Sequence, residues 1–120
     1  MKIIIKGEPR TKKNSMQIVR FGNRMALIPS KPYNVYKKLF ISQIDPLNEQ
    51  INYGVNVKCV YYMKTKRKVD LSNLLSATND LLVDSGVLED DNSNIIVGHD
   101  GSRVCYDKEN PRVEIFVDKI

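Results

Sequence analysis

The residues with the most chemical potential in this chain of 120 are four aspartates, Asp70, Asp80, Asp90 and Asp91. They lie in or close on the stretch Lys64 to Asp91, KTKRKVDLSNLLSATNDLLVDSGVLEDD, which opens on Lys64, Lys66, Arg67 and Lys68 and closes on Glu89, Asp90 and Asp91. From Val69 to Gly101 there is no Lys or Arg, yet seven acids fall in that window. Carboxylates brought together repel one another unless a proton or a cation bridges them. Mg²⁺ suits such a site, with Mn²⁺ as a substitute, because it takes oxygen ligands, keeps several waters and can clamp a phosphate oxygen beside an attacking water.

Each acid also has a plainer reading. Asp70 stands just before a leucine-rich helical pattern, where an aspartate serves as an N-cap. Asp90 and Asp91 read equally as an acidic turn before a strand. The two groups are tethered to opposite ends of the same helix. They approach one another if the strand after the helix runs antiparallel to the strand before it.

The cations are as segregated as the acids. Residues 1 to 40 hold ten Lys and Arg against the single acid Glu8, and the chain carries a net charge of +5. Such a distribution suits a polyanionic partner, or else an ordinary solvated surface. Lys12, Lys13 and Asn14 in a polar loop, and Lys66, Arg67 and Lys68 before the helix, are candidate DNA contacts. Long cations and short hydrogen-bond donors grip phosphates without reading sequence. His99, in GHDG, reads as a turn or surface residue ahead of a general base.

The elements that must position these groups follow from hydrophobic spacing. KIIIK at residues 2–6 predicts a first strand. Gln17–Phe21 and Arg24–Ile28, flanking Gly22-Asn23, predict a hairpin whose turn type stays open. Ser30-Lys31-Pro32 starts a helix whose stripe of Tyr33, Tyr36, Phe40, Ile44 and Leu47 faces a core, with Pro46 in or just past its last turn. Val55–Met63 predicts a strand. Leu71, Leu74, Leu75, Thr78, Leu81 and Leu82 then form one helical face, ended near Gly86, while Asn73, Ser76, Asp80 and Asp84 share the opposite face. Asn94–Val97 and Arg112–Val117 predict closing strands joined by a turn-rich segment. The expected fold is one α/β (α+β) domain over residues 1–120, with a mixed or mostly antiparallel sheet and two main helices.

Composition narrows the class further. Hydrophobic residues make up 42% and charged residues 28%, the balance of a globular protein and not of a disordered one. No apolar run nears the roughly 20 residues a membrane span requires, and Ile3–Ile5 is too short for a signal-peptide core, so no membrane role and a cytoplasmic location are expected. Cys59 and Cys105 have no metal-type spacing and read as small buried hydrophobes, with no disulfide expected.

The sequence VDLSNLLSATNDLLVDSGVLEDDNSNII resembles the core signature of the RusA family of Holliday junction resolvases. There an Asp-x-Asp-Asn-Leu opening leads into a helix with a further Asp-x-Leu, a Gly, and an Asp-Asp pair before a strand. The early strand, the Lys/Asn-containing loop and the chain length match too. The resemblance implies a homodimeric, Mg²⁺-dependent endonuclease that cuts four-way DNA in recombination and repair, of bacterial or prophage origin. It places metal-ligand and catalytic roles on Asp70 and Asp91, with Asp90 or Asp80 as a further carboxylate. Asn73 is kept from the motif and orders the loop or a ligand carboxylate. Ser72 stands where the family has a second acid, and Ser76 where it often has a lysine. One ligand and one phosphate-contacting cation are thus absent from their usual places, which makes a weakened enzyme or a non-cutting branched-DNA-binding protein the alternative.

Overall fold

The computed structural model describes residues 1–12, 16–29 and 31–120. Its elements run β1 (Lys2–Lys6), β2 (Met16–Phe21), β3 (Arg24–Pro29), α1 (Lys31–Ser42), β4 (Val55–Met63), α2 (Leu71–Asp84), β5 (Ile96–Gly98), β6 (Arg103–Tyr106) and β7 (Arg112–Lys119). β1, β7, β4 and β5 are neighbours in that order in a five-stranded sheet, and β6 also pairs with β4. β7 runs antiparallel to both β1 and β4, whereas β5 and β6 run parallel to β4. The expected mixed α+β domain with two helices is therefore present.

Alternation along the strands decides where the core lies. In β4, Val55, Val57, Cys59, Tyr61 and Met63 point to one face and are buried. Val113, Ile115 and Val117 of β7 and Ile5 of β1 line the same face. Both helices cover it, with Tyr33, Tyr36 and Phe40 from α1 and Leu74, Ala77, Leu81 and Leu82 from α2 joining one cluster. Burying one such aliphatic side chain stabilises the fold by about 1.5–3 kcal/mol. A polar pair also sits inside. Thr78 donates its only hydroxyl proton to the Leu74 carbonyl (2.9 Å), so Tyr61 must be the donor in the 2.7 Å contact between the two hydroxyls.

The predicted hairpin is β2 and β3, paired from Met16↔Pro29 to Phe21↔Arg24. Gly22 has φ +60 and, among the described residues, no non-glycine residue has a positive φ, a combination that matches a type II′ turn and not type I′.

Two expectations need correction and one an addition. α1 stops at Ser42, so Ile44 and Leu47 lie beyond it, although both still pack on the core. The Gln43 side chain explains the early stop. It leaves the helical path to pair with the backbone of Lys6, accepting from Lys6 N–H (2.9 Å) and donating to Lys6 C=O (3.0 Å), which also occupies polar groups at the sheet's edge. Pro46 then rests on Gly86, whose φ of +83 closes α2 and whose missing Cβ leaves room for the ring. Next, the turn-rich segment between the closing strands holds a further strand, β6. Finally, β5 is parallel to β4, so β4, α2 and β5 form a crossover unit and not a path that doubles back.

Candidate functional site

Parallel β4 and β5 fix the placement of the acids. Asp70 precedes α2 at the C-terminal end of β4, and the acidic turn follows the opposite end of the helix. Asp70 and Asp80 are ten residues apart, which is about 15 Å of rise along an α-helix. Asp91 comes near enough to Asp80 for its carboxylate to raise the Asp80 pKa. The expected meeting of Asp70 with Asp91 thus does not occur within one chain. One Mg²⁺, with ligands about 2.1 Å away, cannot span that gap.

Asp70 is exposed and has the extended backbone of an N-cap (φ −87, ψ 122), but its side chain makes no cap hydrogen bond. Instead Asn73 Nδ2 donates to Asp70 Oδ2 at 3.2 Å. Asn73 therefore orients this carboxylate. Ser72 and Ser76 are exposed on the same helix. Neither supplies the charge that an acid or a lysine would.

Asp90 serves its own turn. Its Oδ1 accepts from Asp91 N–H (2.7 Å) and its Oδ2 from Asn92 Nδ2 (3.1 Å). The backbone bond first, and the Asn92 bond second, hold its carboxyl below the usual range. This arrangement leaves Asp91 as the member of the pair that faces α2.

Asp80 is half-buried among charged neighbours. Burial raises its pKa, Lys12 opposes that rise, and the nearby Asp91 carboxylate adds to it. Lys12 Nζ lies 3.9 Å from Asp80 Oδ2. On the α1 side, Lys37 Nζ is 3.1 Å from Asp84 Oδ2. Tyr33 packs beneath these acids, and its phenol is pushed up to about 12, first by burial and then by the charges of Asp80 and Asp84. Tyr33 is thus a hydroxyl donor at any ordinary pH. Sequence spacing had read it as a core residue only.

Two converging carboxylates fit the way Mg²⁺ is usually held, by one or two protein carboxylates with waters and substrate phosphate completing the shell. Asp80 and Asp91 meet that requirement, while Asp70 and Asp90 do not join them. Among the described residues no group of three or more His, Cys, Asp or Glu converges as a metal cage.

The cationic approach is organised by a residue that the sequence marked only by its isolation. Glu8 Oε2 accepts from Lys64 N–H at 2.8 Å, while Oε1 lies 3.4 Å from Arg10 and 3.7 Å from Arg67. Its side chain is only 11% exposed. Lys66 lies 5.1 Å over the Tyr106 ring, and Lys68 is exposed. Glu8 thus fixes the loop from which these cations project. Lys13 and Asn14 lie outside the described residues.

His99 is not a surface residue. It is half-buried and bridges two elements, because Nδ1 donates to the Val57 carbonyl (2.8 Å) and Nε2 lies 3.1 Å from Asn79 Nδ2. The GHDG turn is further pinned by Asn56, which donates to Asp100 C=O (3.1 Å) and accepts from Asp100 N–H (2.9 Å). The role is structural. Cys59 is buried as expected, Cys105 is half-buried, and both are free thiols.

A scan against protein-family models finds no match, and a search of curated proteins finds none either. Among the described residues, no helix is long and apolar enough to cross a membrane.

Proposed function

We propose that this chain is a Mg²⁺-dependent endonuclease that cuts branched DNA, four-way junctions above all, acting as a cytoplasmic homodimer in recombination and repair. The observation that carries the proposal is the meeting of Asp80 and Asp91 beside Lys12. Two carboxylates held against their mutual repulsion are a resting place for a divalent cation. Mg²⁺, or Mn²⁺ in its place, would supply activation of water and stabilisation of charge on the phosphate.

The chain's own groups account for the rest. Lys12, exposed and only loosely paired to Asp80, is free to turn toward a phosphate oxygen and hold the scissile group by the carboxylates. Tyr33, its phenol pushed up by burial and by the charges of Asp80 and Asp84, stays protonated beside the acidic cluster. Lys64, Lys66 and Lys68, with Arg67 anchored through Glu8, grip the duplex arms through phosphates. A two-fold dimer carries two such sites related by the approximate symmetry of a junction.

A second reading has support of its own. With Ser72 and Ser76 in place of an acid and a lysine, and Asp70 about 15 Å along the helix from Asp80, the chain would bind branched DNA without cutting it. Incubating the full chain with a synthetic four-way junction and Mg²⁺ or Mn²⁺ separates the two. Paired nicks that vanish with chelator are expected. An intact junction with salt-sensitive, metal-indifferent binding selects the second reading, and no binding at low salt removes both.

A further inference from the structure

The face of the sheet turned away from the helices carries a different chemistry. Its residues are those of opposite parity to the core, and cross-strand register sets them in rows. One row is Lys2, Phe116 and Lys58, and another, four residues along the strands, is Lys6, Arg112 and Tyr62. Between them lie Ile4, 45% exposed, then Glu114, Val60 and Arg103. None of these side chains belongs to the buried cluster, and both helices lie on the other side.

Each ring on this face is half-buried with a cation over it. Lys2 and Lys58 Nζ lie 5.2 and 5.0 Å from the Phe116 centroid, and the Arg112 guanidinium lies 3.8 Å from that of Tyr62. The central acid, Glu114, is neutralised by Arg112 Nε at 2.8 Å and by Lys2 at 3.6 Å. Asp107 pairs with Arg112 at the margin, and Asp118 sits at a corner beside Asn56. Lys6, Lys58 and Arg103 have no ion pair among the described residues, so the face is net cationic.

We infer that this face is a stacking platform for single-stranded nucleic acid, with one base on Phe116 as its lysines turn to phosphates, another on the Arg112 guanidinium that covers Tyr62, and the backbone held by Lys2, Lys6, Lys58 and Arg103. Charge selects the occupant. A second copy of the chain would set like charges against each other, whereas a strand brings phosphates to the lysines and flat bases to the rings. The two rings are about 13 Å apart along the strand direction, room for a base at each. A sheet this broad cannot enter a duplex groove, so unpaired nucleotides are the form it fits. The inference does not rest on the cutting site above, which lies on the helix-covered side and needs a metal ion.

The test is fluorescence anisotropy of the full chain with a labelled oligo(dT) of roughly 12 nucleotides, in chelator, so that cleavage plays no part. Binding that weakens with salt is expected. Phe116→Leu and Tyr62→Leu should each lower affinity about tenfold while leaving binding of a duplex unchanged. Lys2→Gln and Lys58→Gln, both on a strand's solvent face, should each flatten the salt slope by about 0.7 without moving the unfolding midpoint, which covers the case where a leucine variant folds poorly. The inference is overturned by no oligonucleotide binding at low salt, by glutamine variants that bind as the parent does, or by well-folded leucine variants that weaken single strand and duplex alike.

Discussion

The two ends of α2 present the same residue type and opposite physics. At the N-terminal end Asp70 is exposed, flanked by Ser72 and Asn73, and, among the described residues, bonded only by Asn73. Toward the C-terminal end Asp80 is partly buried, pressed by Asp91, faced by Lys12 and underlain by Tyr33. A motif continuous in sequence is split by the helix it contains. What matters for chemistry is which acids share a dielectric and a neighbour, and only one end has that property.

Activity gives the largest expected effect. Asp80→Asn and Asp91→Asn should each lower Mg²⁺-dependent junction cleavage at least ~100-fold, about 3 kcal/mol of barrier, since each removes a carboxylate that would hold the ion. Asp70→Asn should cost far less within one chain. If instead Asp70→Asn abolishes cutting in a well-folded protein and Asp80→Asn does not, the assignment to the C-terminal end is wrong.

Stability sharpens the contrast next. The C-terminal end is built on the core, so Leu81→Ala should destabilise by about 2–5 kcal/mol in chemical denaturation. His99→Ala, which strands the Val57 carbonyl and the Asn79 amide, should cost about 1–3 kcal/mol. Asp70→Ala removes one exposed contact and no cap bond, and should fall within about 0.5 kcal/mol of the parent. A loss near that of a true N-cap would show the aspartate serving the helix after all.

These expectations also show what was legible in the chain. The leucine spacing and Gly86 located α2 to within a residue, because a buried apolar stripe and a left-handed stop are local physics. Tyr33, Tyr36 and Phe40 marked α1 for the same reason. Its end was not legible, because Gln43 is drawn off by the backbone of Lys6, a partner 37 residues away. Nor was the direction of β5. Parallel and antiparallel returns use the same side chains, and that single unknown governed whether Asp91 would meet Asp70 or Asp80. His99 looked like a turn residue since nothing local reveals Val57 and Asn79 as its partners.

A smaller effect probes the cationic approach that serves the N-terminal end. Glu8→Gln keeps an acceptor for Lys64 N–H but removes the charge facing Arg10 and Arg67. Stability should change by less than about 1 kcal/mol. Affinity for duplex arms should rise with a steeper salt dependence, measurable by anisotropy at several ionic strengths. A weaker, salt-insensitive variant would mean that the ordering of the loop by Glu8 matters more than the cations it restrains.

The last comparison is one of protons. Asp80 has a pKa raised by burial and, further down the order of causes, by Asp91, with Lys12 working the other way. A carboxyl raised on folding binds its proton more tightly in the folded chain, so the cost of ionising it is present above the folded pKa and disappears below the unfolded one. Asp91→Asn should therefore bring the Asp80 titration down, read by NMR of the side-chain carboxyl. Asp80→Asn should be more stable than the parent at neutral pH, with the advantage shrinking as acid protonates the parent. Added Mg²⁺ should reverse the order, stabilising the parent and leaving Asp80→Asn unmoved, because only the parent has two carboxylates to share the ion. An acid pair that titrates independently and ignores Mg²⁺ would reduce the C-terminal end to a surface turn, and both ends of the helix would then be alike.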